Sequence, residues 1–359
     1  MAQKVLIDFA CNLDFSSEEI QNFIKNNWLR ETLLSDKEFY AWQFEAPVKN
    51  DHQDNVILAI YESKIVGFLG LYKRDFILRD NLLNGAELTT WIIKEEYQKK
   101  GFAKPMLEYV KDNFDIVYGA NITTDALKVY LRLGFHYINE VPRLLKIYDY
   151  TKVSTLGKFD PLIKKIYKNK DFNYIKYTHI DFSDMKNVKI NNGFSRSSEN
   201  LQWRYKSHPI YNYKVLMSDD HQDEPYYIIY RIENVNNVKV MIITDILTSN
   251  KHDINLSVID SYTLDNQIDM IEFYSTNTKL NALLYSYGFI PLKDLKEFID
   301  IAYLYNPIEL KKSKSYSLIY YTKDKYLLDC LNSDLLYITK SDCDLDRPNH
   351  EYLKKIGKN

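Results

Sequence analysis

Residues 98–104 read Gln-Lys-Lys-Gly-Phe-Ala-Lys and stand between an apolar strand pattern and a helical one. A small-residue turn at a helix start leaves backbone N–H groups unpaired and presents the positive end of the helix dipole. That combination makes an anion site suited to a pyrophosphate. Bulk at Gly101 or Ala103 would hold phosphates away from the backbone, and Lys99, Lys100 and Lys104 add positive charge. Gln98 and Phe102 complete the loop. Short glycine motifs recur by accident, so a plain helix start with solvated lysines fits the same letters until context is added.

Two further runs carry chemistry. Leu201-Gln202-Trp203-Arg204-Tyr205-Lys206-Ser207-His208-Pro209 combines aromatic faces, an arginine fork and a histidine. Trp203 and Tyr205 suit stacking on a base or sugar, and Arg204 suits a phosphate. A helix end whose aromatics simply pack has the same composition. Near the C-terminus, Asp342, Asp344 and Asp346 alternate ahead of Arg347, Pro348 and Asn349. This pattern resembles a cation loop but lacks the glycine and distal glutamate of an EF-hand. An ordered acidic loop of this kind suits an amine; a solvated tail is the other reading. No metal is expected.

The elements that must hold these residues follow from hydrophobic periodicity. Helices are expected at 16–33 and 36–45, and strands at 55–61, 65–72 and 85–93. A helix over 98–114, a strand at 115–120, a helix over 123–135 stopped by Gly134, and a strand near 144–149 complete the first half. The second half, after a linker near 150–158, reads as loop and helix over 159–176 and a helix ending near Tyr205. Strands follow at 211–217, 226–232, 238–247 and 268–275, with a helix at 278–287 and a short strand at 335–339. The fold class is α/β with a mixed sheet. Strands 56–60, 65–71, 240–247 and 270–274 should lie in the cores.

Two echoes point to duplication. Trp42-Gln43-Phe44 resembles Trp203-Arg204-Tyr205, and the helix end at Gly134-Phe135 resembles that at Gly288-Phe289. A near-constant offset at separated points suggests two copies of one fold. The expected lobes are 1–150 and 160–323, followed by an extension over 324–359.

Length and composition bound the function. The 359 residues suffice for two cores, and 47 basic against 49 acidic residues give a net charge of −2. Without a positive field, nucleic acid is not an expected partner. The 31 tyrosines fit polar-ligand clefts or a general sequence bias. Cys11, Cys330 and Cys343 match no metal, redox or disulfide pattern. The N-terminus does not read as a signal peptide, and no run of about eighteen apolar residues suggests a membrane span. The expected compartment is the cytoplasm, with no membrane partner.

Over residues 55–148 the sequence resembles the GNAT acyltransferase superfamily. Gln98-x-x-Gly101-x-Ala103 after a strand matches its phosphate loop. Ala126, Tyr130, Gly134 and Phe135 match its second signature in spacing. The usual asparagine three residues before that alanine is Thr123 here, which can still cap the helix; Asn121 is the candidate replacement contact. The resemblance implies an acyl-CoA donor, with backbone groups of Trp91, Ile92 and Ile93 along the pantetheine arm and at the thioester. It also implies that Tyr130 protonates the departing thiolate. Tyr130 as an ordinary buried aromatic is the competing reading.

Acyl transfer to an amine needs a neutral nucleophile, and hence a proton acceptor. Glu87, on the strand leading to the donor site, is the first candidate base. Asp245, on the second-half strand that matches it, is the second, and His136 is a weaker third. The second half lacks a phosphate-binding turn, and Leu284 stands where the first has Tyr130. One donor site is therefore expected, with a degenerate second lobe that shapes the acceptor site. The Trp203–Pro209 run and the acidic tail together resemble two-lobed enzymes that N-acylate nucleotide-linked amino sugars in bacterial surface-polysaccharide pathways. That resemblance implies an acceptor such as a dTDP-linked 3-amino-3,6-dideoxygalactose, with acetyl or 3-hydroxybutanoyl transferred. An amino-acid, peptide or protein acceptor and a non-catalytic acyl-CoA sensor are the alternatives.

Overall fold

The computed structural model describes residues 5–28, 33–45, 55–79, 81–167, 171–186, 188, 190, 192–218, 226–248, 254–301, 316–324, 328, 336–343, 346, 348, 350–355 and 357. Asp344, Arg347 and Cys330 lie outside them. The chain divides into two compact units. The first comprises 1–139 with 317–331 and 348–359, and the second 140–316 with 332–347.

The first unit opens with β1 (Leu6–Phe9), α1 (Ser17–Asn27) and the short α2 (Lys37–Tyr40). Ser16 and Glu19 form a reciprocal capping box on α1. Instead of one helix over 36–45, α2 passes into a π-turn, Ala41–Glu45. Then come β2 (Val56–Tyr61), β3 (Lys64–Leu78), β4 (Asn81–Ile93), α3 (Ala103–Asn113), β5 (Ile116–Ala120), α4 (Thr124–Arg132) and β6 (His136–Ile138).

The second unit runs through β7 (Arg143–Ile147), α5 (Tyr150–Val153), β8 (Gly157–Phe159), α6 (Pro161–Ile166), β9 (Tyr177–Ile180) and β10 (Asn192–Phe194). Next are α7 (Ser198–Leu201), a second π-turn at Gln202–Lys206, β11 (Lys214–Ser218), β12 (Tyr226–Val235) and β13 (Val238–Thr248). The unit continues with α8 (Ser257–Asn266), β14 (Met270–Tyr274), α9 (Thr278–Ser286), β15 (Ile290–Pro291) and β16 (Ile299–Ile301), which pairs with β8. Last come β17 (Leu318–Thr322) and α10 (His350–Lys355), both in the first unit.

The first sheet has the order β1-β2-β3-β4-β5-β17-β6, and the second β9-β11-β12-β13-β14-β7-β15. The two orders are the same pattern with one strand exchanged in each. The strand expected near 144–149 is present as β7 but pairs antiparallel with β14 and β15 in the second sheet. Its place in the first sheet, between β5 and β6, is taken by β17.

A bulge repeats as well. Leu71 faces Leu88 but Leu69 faces Trp91, so Thr89 and Thr90 together oppose Gly70. In the second sheet Tyr230 faces Ile243 and Ile229 faces Asp245, leaving Thr244 extra. Such bulges bend and twist the strand that carries the extra residue. The first bulge demands its glycine. A Cβ at Gly70 would stand 2.5 Å from Thr89 Oγ1 and 2.7 Å from the Phe44 ring.

The first core packs Met106, Leu107 and Val110 of α3 and Tyr130 of α4 against Ile57, Leu69, Leu71, Ala86 and Val117. The second gathers Leu145, Ile147, Val240, Ile242 and Met270 with Val153 and Ile163. Gly70→Ala should lower stability by about 1–3 kcal/mol through overpacking. Thermal unfolding measures it; an unchanged Tm would show that Phe44 does not press on the bulge.

Candidate active site

Strands β4 and β5 pair in parallel only from Gly85–Ile116 to Leu88–Gly119, yet β4 runs on to Ile93. Beyond Leu88 the two strands part and leave a wedge. Which β4 groups face it follows from the β3 ladder. Lys94 N–H donates to Val66 O at 2.9 Å. Bonded pairs alternate in an antiparallel ladder, so Ile92 exchanges bonds with Phe68, while Trp91 and Ile93 turn their N–H and C=O groups away from β3. The Gln98 side-chain amide donates to Ile93 O at 3.0 Å. Of the three strand residues expected along the donor, Trp91 and Ile93 therefore present backbone to the wedge. Ile92 spends its own on β3.

The loop after β4 makes a single 3₁₀ turn, Glu95–Tyr97, and then winds through left-handed backbone at Lys99 (φ 61°) and Gly101 (φ 91°). A Cβ at Gly101 would meet nothing within 4 Å, so the glycine answers to φ and not to crowding. Phe102 anchors the loop between the rings of Tyr61 and Tyr97, at centroid distances of 5.5 and 5.2 Å. Helix α3 starts at Ala103 with no side-chain cap, whereas α1 and α4 are capped by Ser16 and Thr123. Lys100 lies over the Tyr97 ring, and Lys104 pairs loosely with Glu108 at an exposed 3.5 Å.

Tyr130 is buried on α4, its ring 5.5 Å from that of Trp91 and 5.0 Å from that of Phe135. Burial pushes its phenol above the ordinary range, so it keeps its proton at neutral pH. Thr123 Oγ1 accepts from Ala126 N–H, and Asn121, left-handed at φ 52°, gives its own N–H to Ser317 O at 2.8 Å. Glu87 sits within the paired part of the sheet, opposite Tyr72 and Tyr118. It is fully buried, with Arg74 3.6 Å away. His136 is exposed and stacks on Tyr320.

The second unit places its expected acceptor residues differently. Arg204 is buried and donates to the carbonyls of Ser341 and Cys343 at 3.3 and 3.4 Å. Tyr205 stacks on Phe182 and donates to Asp245 at 2.6 Å. His208 Nδ1 accepts from the N–H groups of Ile210 and Tyr211, and burial, with help from Arg204, holds its pKa well below the ordinary value. Trp203 is half-buried in the π-turn. Asp346 is buried and accepts from Arg231 at 2.7 Å and Tyr213 at 2.8 Å. Burial alone would raise its pKa, but Arg231 and Lys340 outweigh it and hold the carboxyl well below the usual range. Asp342 accepts from Arg196 at 2.8 Å. The aspartate tail is therefore an internal ionic clasp, and its two described carboxylates are spent on arginines.

Asp245 is tied still more fully. Both oxygens bond Arg196, at 3.0 and 3.1 Å, and they also accept from Tyr205, Thr339 and Tyr337. A base there would have to surrender an ion pair. The arginines that do this work, Arg196 and Arg231, give little local sequence signal, since their aspartate partners lie 49 to 146 positions away. Beside this clasp, Phe182, Tyr205, Tyr211, Tyr213, Lys206 and Lys214 line a cleft of about 460 Å³. Lys206 is paired with Asp181 at 2.7 Å.

Residues 18–135 match the family model described as Acetyltransferase (GNAT) family. That stretch of the N-terminal unit is similar to the GNAT acetyltransferases. The protein is thus an enzyme that takes its acyl group from acyl-CoA. Solved structures agree on the fold. A GCN5-related N-acetyltransferase from Anabaena variabilis aligns over 88% of this chain and 72% of its own, at 13% identity and a TM-score of 0.53. A conserved protein from Enterococcus faecalis, described as a probable N-acyltransferase, aligns over 89% and 72% at 11% identity and 0.55. A GCN5-related N-acetyltransferase from Kribbella flavida aligns over 90% and 72% at 9% identity and 0.52. None of the curated proteins matches the chain by sequence.

The clasp makes a pH prediction. A carboxylate whose folded pKa is depressed adds stability above its unfolded pKa of about 3.9, and that stability is lost as pH falls through the folded value. Asp346→Asn should cost about 3–5 kcal/mol at pH 7, because Arg231 is left buried with only one of its two carboxylate partners, Glu233. The gap to the wild type should narrow as unfolding is followed from pH 5 down to pH 2. A gap that stays constant over that range would mean that Asp346 is not charged in the fold.

Proposed function

We propose that this enzyme transfers an acyl group from acyl-CoA to the primary amine of a nucleotide-linked amino sugar, with the donor in the β4–β5 wedge. The observation that carries the donor assignment is the early parting of β4 from β5, with Trp91 and Ile93 turning backbone into the gap. An extended pantetheine arm carries amides that suit those groups. Its pyrophosphate suits the uncapped start of α3 and the turn at Gly101, with Gln98, Lys99, Lys100, Phe102, Ala103 and Lys104 around it. Asn121 and Thr123 shape the facing loop at the end of β5.

In the reaction the amine nitrogen attacks the thioester carbonyl, the C–S bond breaks, and the thiolate leaves as coenzyme A. Tyr130 is the acid in this reading. Its buried phenol stays protonated and can pass its proton to the sulfur. The incoming nitrogen sheds its own proton. Glu87 and Asp245 are both held in buried ion pairs, so the reading gives that proton to neither and routes it to solvent.

Two observations support the acceptor class. The runs whose sequence resembles sugar-nucleotide N-acyltransferases, around Trp203–His208 and Asp342–Asp346, touch each other directly through Arg204. The cleft beside them offers aromatic faces for a base and lysines for phosphates. The shared strand order, bulge and π-turn support a tandem GNAT architecture. In it the second lobe has kept the frame and lost the donor loop.

Free-thiol release with acetyl-CoA and 3-hydroxybutanoyl-CoA across amino-sugar nucleotides, amino acids and peptides tests this. Release with a sugar nucleotide alone is expected; release only with peptides or amino acids moves the acceptor to that class. Tyr130→Phe should lower kcat by about 100-fold, with the acyl-CoA Kd nearly unchanged. Undiminished turnover would remove Tyr130 as the acid. Gly101→Glu should abolish coenzyme A binding, and normal binding would refute the phosphate site.

A further inference from the structure

The second unit contains a wedge of the same construction. Strands β13 and β14 pair in parallel only from Val240–Met270 to Ile242–Glu272, while β13 continues to Thr248. The repeated bulge aligns the two wedges. Trp91 is the first paired residue after the first bulge and Asp245 the first after the second, with Ile246 next along β13, so the two wedges match to within one residue. Like Trp91, Ile246 turns its N–H and C=O away from the neighbouring antiparallel strand and into the gap.

That gap is filled by the chain itself. Tyr337 Oη accepts from Ile246 N–H at 3.0 Å and donates to Ile246 O at 2.9 Å. On the other side, Ile338 O accepts from Thr276 N–H at 3.1 Å, and Thr276 Oγ1 accepts from Ile338 N–H at 3.0 Å. Thr339 pairs across to Ser275 and gives its hydroxyl to Asp245 at 3.0 Å. Asp342 then closes on Arg196, and Lys340 lies 3.9 Å from Glu272 and 3.7 Å from Asp346. The segment bonds both lips of the wedge, as an extended ligand would.

We propose that the β13–β14 wedge is a second donor-type site whose permanent occupant is the chain's own segment 336–342. The protein accordingly holds one acyl-CoA per chain, and a missing phosphate loop is only half of the reason. This rests on the assignment of the β4–β5 wedge to the donor. The occupant is locked by desolvated ion pairs, and a coenzyme with no phosphate site there has nothing with which to displace it.

Hydrogen exchange on the full-length protein, with and without coenzyme A, tests the proposal. Without it, the amides of Trp91 and Ile93 should exchange rapidly, and that of Ile246 only with global unfolding. Saturating coenzyme A should slow Trp91 and Ile93 and leave Ile246 and Ile338 unchanged, with one equivalent bound by calorimetry. Tyr337→Phe removes the hydroxyl that bonds the N–H and C=O of Ile246 and one oxygen of Asp245. It should speed that amide's exchange by about fivefold or more, with the coenzyme A Kd within twofold of wild type. Two bound equivalents, or an Ile246 amide that slows on adding coenzyme A, would overturn the proposal. So would an Ile246 amide that exchanges as fast as that of Trp91. If coenzyme A fails to slow Trp91 and Ile93 while Ile246 remains protected, the donor assignment fails and the internal occupancy stands.

Discussion

Two strands that stop pairing too soon govern this protein. Four residue pairs join β4 to β5, and everything at the site follows from what β4 does after the last of them. A parallel ladder leaves no backbone group idle while it lasts; when it ends inside a sheet, N–H and C=O groups are left facing a gap that some other chain-like object must fill. The bulge at Thr89 and Thr90 sets the twist with which β4 departs, and Gly70 makes room for it. Helix α4 packs on the same sheet, which sets the Tyr130 ring 5.5 Å from that of Trp91. Helix α3 begins at Ala103, one short loop after β4 ends at Ile93, with no side-chain cap on its first turn. Sheet irregularity, helix start and phenol are consequences of one geometric event.

The second unit solves the same problem with charge. Arg143, Arg196, Arg204, Arg231 and Lys340 are buried together with Glu233, Asp245, Glu272, Asp342 and Asp346. Removing five cations and five carboxylates from water is costly unless each finds a partner, and hydrophobic residues of like size would often serve stability as well. Such a network selects one arrangement among many. Asp342 sits on Arg196 and Asp346 on Arg231, so a slip of the chain that carries them would break both pairs.

The residues of the two proposed sites differ in how far their surroundings can be read from the sequence. The proposed donor loop is local: its residues, Gln98, Gly101 and Ala103, lie within six positions, so their spacing shows directly in the sequence. The spacing of Ala126, Tyr130 and Gly134 works in the same way along one helix. Arg204 and Asp346 have the composition of ligand-binding residues, but a buried arginine and an exposed one are spelled alike. Only the fold brings Arg196 to Asp342, 146 positions on. Helix α8 escaped notice because Asp260, Ser261 and Thr263 are buried beside Val258, Ile259 and Tyr262, which leaves no polar stripe to betray its period. The π-turns were visible as the Trp42 and Trp203 echo, though their geometry was not. Strand β1, only four residues long, was missed because period-two alternation needs more length to show.

The exchanged strands add a constraint on how the donor site can form. Strand β17 pairs with β5 at five positions, from Leu318–Ala120 to Thr322–Ile116, and so covers the edge of the strand that bounds the wedge. Those partners are separated by about two hundred residues of chain, with residues 140–316 of the second unit among them. Contacts of that span repay the entropy of closing the intervening loop only after much else has folded. Until β17 arrives, β5 offers an open edge, and such an edge invites wrong pairing. The site residues themselves lie within a stretch of about fifty positions, close enough to be read as a motif. Their working geometry nonetheless waits on residues 318–322, because the wedge has two sides and only β4 is fixed by its hairpin. A catalytic unit that is local in sequence is thus made dependent on the far end of the chain, and the segment that follows β17 is the one that fills the second wedge.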